Sequence, residues 1–409
     1  MTPEQVGRRR AIEALRSGVP SWDAVAALGS GQAEAEDRFA GLLDRAEGGR
    51  PGGLLLGAGF GAGKSHLLMH LAHLAMERGF VVSSVVVSKE TPLHDPAKVF
   101  RAAVESMLGP GRIAGLLVEA AADLDSDSSR YADLTRWLHS PGGPDERFAA
   151  TLLLHERLRG GDVPDSEEMV EAIVRFWGGD PIRVPDLRRG LKAIGAAGTF
   201  TFGPVPAREL ARQRMGFVAR LLRAGGHAGW LLLFDEVELI GRSSLLQRGR
   251  SYAEVARWVD GDPDDRAAPL AAVLALTDDF EAAVLSGKDD RNAVPAKLRD
   301  KQTDEWTEVA TLADKGIRHL SRDVLLLDAP DAAELDRAYA VLKELHSSAY
   351  EWSPPDVPGL ERLGATRMRQ YVRAWINAWD LVRLDPTHTP EPEVVEMRSS
   401  YDDEDDELG

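Results

Sequence analysis

The sequence predicts an α/β protein with a parallel sheet, and three observations carry that reading. Five short, almost wholly apolar runs, at residues 52–56, 80–87, 230–234, 271–276 and 324–327, have the composition of strands covered on both faces. Helix-period stretches separate them, as crossovers between parallel strands require. A glycine-rich turn joins the first run to the helix that follows it.

Taken in order, the first fifty residues read as three helices. Residues 4–17 stop at Gly18-Val19-Pro20, and Ser21 caps a short segment over 22–28 that Gly29 ends. The third, 32–46, places Phe39, Leu42 and Leu43 on one face. After the first strand, Leu67, Leu68, Leu71, Leu74 and Met76 mark a helix over 64–78, stopped by Gly79. Residues 96–226 turn helical and arginine-rich, broken by loops at Gly109-Pro110-Gly111, Gly142-Gly143-Pro144 and Gly160-Gly161. An amphipathic helix around 252–259 precedes the fourth strand, and beyond Pro330 the chain reads as helical to about Asp385.

Composition narrows the functional classes. There are no cysteines among the 409 residues, which excludes disulfides, thiolate zinc sites and cysteine nucleophiles. The longest apolar runs are about half a membrane span, and the arginine-rich N-terminus lacks an apolar signal core, so a soluble, cytoplasmic protein is expected. The net charge of −17 argues against a nucleic-acid binder on a first pass. Residues 391–409 hold nine of the acidic residues and one arginine, an acidic tail expected to be disordered, with nucleic-acid mimicry as the sharper alternative.

The glycine-rich turn carries the chemistry. Ala58-Gly59-Phe60-Gly61-Ala62-Gly63-Lys64-Ser65 has the Walker A pattern with alanine in the first glycine place. Glycines let successive backbone N–H groups point at phosphate oxygens, and the next helix presents its positive dipole end. Lys64 supplies a charge for the β and γ phosphates, the Ser65 hydroxyl joins a magnesium shell, and His66 follows in the first helical turn. The expected ligands are therefore ATP and Mg2+, with no Asn-Lys-x-Asp run to select guanine.

A second motif ends the third strand. Leu231-Leu232-Leu233-Phe234-Asp235-Glu236 is an apolar strand closing on two carboxylates. Asp235 is placed to hold the magnesium shell as a Walker B aspartate, and Glu236 to act as the base for an attacking water. With the strand at 80–87 lying between the two motifs, these features resemble the additional-strand class of P-loop ATPases. Thr277, after the fourth strand, is the sensor 1 candidate, a turn-starting threonine being its alternative. The turn Asp328-Ala329-Pro330-Asp331 leads into helices like the lid of AAA+ ATPases, where Arg367 is the sensor 2 candidate and Arg369 the second. Arg291, Arg299 and Arg318 all qualify as a finger acting across a subunit interface. Arg242, Arg248 and Arg250 with Gln247 and Tyr252 form a patch open to DNA or a partner, or a solvated helix face.

With those residues in hand, the chain resembles the ATP-binding proteins of bacterial BREX phage-exclusion systems, the BrxD type. The resemblance rests on Ala11-Ile12-Glu13-Ala14-Leu15-Arg16-Ser17-Gly18-Val19-Pro20, Gly29-Ser30-Gly31-Gln32, the P-loop, Gly229-Trp230, Asp235-Glu236-Val237-Glu238-Leu239-Ile240-Gly241-Arg242 and Gln247-Arg248-Gly249-Arg250-Ser251-Tyr252. It implies an AAA+ relative of origin-recognition and helicase-loader ATPases that self-associates and works with a partner helicase, other defence proteins or DNA. Gln32 would meet the adenine. The implied organisation is an N-terminal helical segment (1–50), an ATPase core (51–95 and 227–328) with a five-stranded parallel sheet, a helical insertion (96–226), a helical lid (329–385) and the tail (386–409). Residues 386–409 are too short and acidic to be expected to form the winged helix that origin-recognition relatives carry after the lid, and residues 186–194 followed by a β-like stretch at 199–202 are the faint substitute. A nucleotide-gated scaffold is the competing function. A small-molecule kinase is disfavoured by the lid.

Overall fold

The computed structural model describes residues 2–19, 21–112, 114–159, 166–262, 267–357 and 368–389, which form two compact units. The larger comprises Glu36–Leu56 and Ala72–Leu325; the smaller comprises the described parts of Met1–Ala35, Gly57–Leu71 and Leu326–Gly409.

The larger unit is built on an all-parallel sheet of five strands: β1 (Gly52–Gly57), β2 (Val81–Val86), β3 (Trp230–Asp235), β4 (Leu270–Leu276) and β5 (Val324–Leu326). Their order across the sheet is β2-β3-β4-β1-β5. β2 pairs with β3 from Val81↔Trp230 to Val86↔Asp235, and β3 with β4 from Trp230↔Leu270 to Phe234↔Leu274. Apolar side chains on both faces of β3 are buried, as helices on both sides demand. The indole of Trp230 donates to the Ser83 hydroxyl (2.9 Å), which donates to the Ala103 carbonyl (2.6 Å). That chain satisfies a buried N–H while tying β3 and β2 to the next helix. The strand at 80–87, which lies between the two motifs in sequence, is the edge strand β2 of the sheet, and β4 separates β3 from β1. Crossover connections make sheet order differ from chain order.

Seven α-helices lie between β2 and β3 among the described residues: α5 (Pro96–Glu105), α6 (Leu116–Ala122), α7 (Ser129–Leu138), α8 (Glu146–Leu158), α9 (Ser166–Trp177), α10 (Val184–Ala193) and α11 (Ala207–Ala224). Phe148, Phe176, Trp177 and Phe217 pack ring on ring within them, and Trp177 donates to the Thr151 hydroxyl at 2.9 Å. Residues 199–202 form no strand, so the winged-helix reading fails; Thr201 is instead held by the Glu146 carboxylate. After β3 come α12 (Leu245–Asp260), α13 (Asp290–Arg299) and α14 (Asp304–Arg322). A Cβ on Gly316 of α14 would sit 1.9 Å from the Tyr252 carbonyl oxygen, so only glycine lets α14 lie this close to α12.

The smaller unit packs α1 (Pro3–Ser17) and α2 (Trp22–Leu28) with α15 (Ala332–Tyr350) and α16 (Met368–Leu384). Thr2 and Gln5 form a capping box at the start of α1. Ile12, Leu15, Leu342, Trp375 and Trp379 share its core. Buried His346 joins them, accepting from the Trp352 indole (2.9 Å) and facing Asp380 (3.3 Å). The acidic run at 402–407 lies outside the described residues. No helix among the described residues is long and apolar enough to cross a membrane.

Candidate nucleotide-binding site

In the smaller unit, the glycine-rich loop opens onto α4 (Lys64–Glu77), the next helix of the chain. Gly61 and Gly63 adopt φ of +77° and +104°, values that an L side chain rarely tolerates. Ala58 is not among the positive-φ residues, which explains why alanine can replace glycine there. The loop closes by an Ala62 N–H to Gly59 carbonyl bond of 3.1 Å. Lys64 Nζ donates to the carbonyls of Ala58 (2.9 Å) and Gly59 (3.4 Å), so its ammonium rests against the loop. Phe60 projects outward, 45% exposed, with the Arg369 guanidinium 5.9 Å from its ring centre.

A cavity of about 120 Å³ opens beside the loop, within the same unit. Ala62, Gly63 and His66 form one wall, the segment from Gly29 to Gln32 a second, and Asp328, Glu334, Met368 and Arg369 much of the rest. Leu15, Leu28, Leu67 and Val372 add apolar lining. The Gly29–Gln32 segment is fastened at both ends. His66 Nε2 hydrogen-bonds the Gly29 carbonyl at 2.7 Å, and burial holds the His66 pKa below its ordinary value, favouring the neutral ring. The Gln32 amide donates to the Asp328 carbonyl (3.1 Å) and accepts from the Asp328 N–H (3.0 Å). Between them Gly31, at φ +68°, lies so close to Glu334 that a Cβ would fall 1.7 Å from Oε1. Burial raises the Glu334 pKa. Glu334 escaped the sequence reading, and Asp328 was read only as part of a turn, because about 300 residues of chain separate them from Gln32.

In the larger unit, the C-terminal ends of β3 and β4 carry the other candidates side by side. Asp235 turns its carboxylate back to accept from the Glu236 N–H at 2.9 Å. Glu236 is exposed and left-handed at φ +57°, before a 3₁₀ turn, Val237–Arg242. A glutamate held there costs of order 1 kcal/mol, strain of the kind that gathers at functional sites. Thr277 is 4% exposed, and its hydroxyl has no hydrogen-bond partner among the described residues. Such a hydroxyl costs about 1–3 kcal/mol until an acceptor or donor reaches it.

The arginines sort clearly. Arg248 binds Asp290 through Nε and Nη2, both at 2.7 Å, and the buried Tyr252 hydroxyl donates to the same carboxylate at 2.6 Å. Burial and that carboxylate push the Tyr252 pKa up. Arg250 lies over the Trp306 ring at 4.4 Å. The patch expected to face DNA, a partner or solvent is therefore split: Arg242 and Gln247 are exposed, whereas the Arg248–Tyr252 spacing (i, i+4) serves one inward-facing clamp. Arg291 pairs with Glu281 and Arg299 with Asp314, whereas exposed Arg318 has no ion pair among the described residues. Arg367 lies outside the described residues.

The sheet and the strand–loop–helix define a P-loop NTPase-like α/β protein. Residues 4–115 match the model of a protein family described as BREX system ATP-binding protein BrxC/D. The match includes the glycine-rich loop, and it supports an ATP-binding role in phage defence. Asp235, Glu236 and Thr277 lie beyond it. No curated protein and no solved structure matches the chain.

Proposed function

We propose that this protein binds ATP with magnesium and hydrolyses it, as an oligomeric ATPase of AAA+ type acting with other BREX components on DNA or on a partner helicase in the cytoplasm. The observation that carries the reading is the positive-φ glycine loop with Lys64 beside a half-apolar cavity large enough for a base. Backbone N–H groups of Gly59 to Ser65 receive the phosphates, with Phe60 and Ala62 supplying main chain between the glycines. Lys64 exchanges its carbonyl contacts for phosphate oxygens. Gln32, its amide half-used by Asp328, keeps one N–H and one lone pair for the adenine edge, and His66 holds the facing segment in place. Ser65 and Asp235 are the residues that would hold magnesium, which when bound would supply positive charge against the phosphates.

Glu236 takes the proton of the attacking water, and the buried Thr277 hydroxyl supplies a donor beside the site of bond breaking. Arg369, already beside the loop through Phe60, and Arg367 are the cations assigned to the γ-phosphate from the lid. Arg318 is the choice for a finger reaching a neighbouring subunit, since Arg291 and Arg299 are paired.

The test is nucleotide affinity with single-turnover phosphate release for Lys64→Ala and Glu236→Gln. Lys64→Ala should lose ATP affinity at least tenfold; Glu236→Gln should retain it while release falls by about two orders of magnitude. Wild-type protein that binds ATP and releases no phosphate would replace the ATPase reading with the nucleotide-gated scaffold.

A further inference from the structure

The charge of the chain is unevenly spread. Residues 171–226 hold ten Lys and Arg against four Asp and Glu, within a protein of net charge −17. Three of these arginines have internal work. Arg212 pairs with Glu254, and Arg220 lies over the Trp137 ring at 4.1 Å. Arg214 donates to the carbonyls of Phe176 (3.0 Å) and Asp180 (2.9 Å), which fixes the turn entering α10.

α10 is different. Leu187 and Leu191 are buried on its inner face, and Gly190 approaches Leu154 of α8 and Met169 of α9, so the helix sits on a fixed platform. Its outer face carries Arg188, Arg189 and Lys192, all exposed, with Arg183 at the N-cap. At 100° per residue these three cations cover a continuous arc opposite the buried leucines, over about 6 Å of helix axis. Asp186 is the only acidic residue of the helix; it lies 3.2 Å from Arg189 and 3.7 Å from Arg183, whose side chains remain 77% and 80% exposed. One carboxylate cannot neutralise both. Arg188 and Lys192 have no ion pair among the described residues. A solvated helix face in so acidic a chain would ordinarily carry mixed charge.

We propose that the outer face of α10 is a docking surface for the phosphate backbone of duplex nucleic acid. Duplex DNA carries one negative charge per about 1.7 Å of axis, so three cations over this length match its charge density. The cations reach phosphates without entering a groove, and so give affinity without sequence preference. This inference rests on the DNA branch of the proposed function.

The experiment is fluorescence anisotropy of the full chain with a labelled random-sequence duplex, titrated at several salt concentrations. Three engaged phosphates predict an affinity loss of about 40-fold between 50 and 200 mM salt. Arg188→Gln, Arg189→Gln and Lys192→Gln together should lower affinity at 50 mM at least tenfold and flatten the salt dependence. ATP turnover and melting should be unchanged in that variant, since none of the three touches the nucleotide loop or the core. A control removing the same charge from other exposed sites (Lys98→Gln, Lys301→Gln, Arg322→Gln) should cost less than about threefold. Equal losses in the two triple variants, or no duplex binding by the wild type at 50 mM, would overturn the proposal. Because turnover is measured on the same samples, a failed ATPase reading and a failed docking surface give different results.

Discussion

Replacing Asp290 with alanine should be among the most damaging single changes in the larger unit. Asp290 is fully buried, and its two oxygens accept from Arg248 Nε and Nη2 and from Tyr252, while the Arg248 side chain is only 11% exposed. The substitution leaves a largely buried guanidinium without its counter-ion and a buried phenol without its acceptor. Breaking such a pair costs about 3–5 kcal/mol. Arg248 Nη1 also donates to the Ser243 carbonyl at 2.8 Å, just past the turn that follows Glu236. Loosening the clamp should therefore lower ATP turnover more than ATP affinity. The assay is urea unfolding followed by tryptophan fluorescence, since Trp230, Trp258 and Trp306 all lie in this unit. Two compact units make a single transition unsafe, so the unfolding of this unit is tracked separately by amide exchange in α12 and α13. Arg248→Met combined with Asp290→Leu should recover much of the loss, because apolar replacement removes both desolvation penalties. A loss below about 1 kcal/mol for Asp290→Ala would refute the clamp.

Two further outcomes are expected. Gly31→Ala places a methyl 1.7 Å from Glu334 Oε1 on a backbone at φ +68°, so the carboxylate must leave its place. ATP affinity by calorimetry should fall roughly five- to tenfold, at about 1 kcal/mol for the left-handed residue plus the displaced side chain. An unchanged affinity would mean that the Gly29–Gln32 segment does not shape the base pocket. His155 is buried against Trp177, and burial, with Arg159 nearby, lowers its pKa from 6.5 to about 4. The unfolded chain then binds a proton that the folded one refuses. Stability from this group is complete above pH 6.5 and falls by up to about 3 kcal/mol as pH drops to 4. His155→Gln should flatten the pH dependence of the urea midpoint over that interval; an unaltered slope would exclude His155 as its source.

Much of this protein was determined by local sequence alone. Five apolar runs became five parallel strands within a residue or two, because a strand buried on both faces has nowhere to put polar side chains. Gly61, Gly63 and Lys64 announced the glycine-rich loop, since those φ values and that charge are properties of single residues. Asp235, Glu236 and Thr277 were visible as polar residues closing apolar strands. What local pattern could not decide was pairing over distance. The Gln247-Arg248-Gly249-Arg250-Ser251-Tyr252 run read as a surface patch, and only the fold brought Asp290 to it from about forty residues away. The residues at 199–202 had the composition of a strand, but no strand among the described residues pairs with them, and they remained irregular. The cavity beside the loop needed Gln32 and Asp328 to meet across most of the chain. Periodicity records which side of an element faces inward. Which partner waits there is set by how the elements pack.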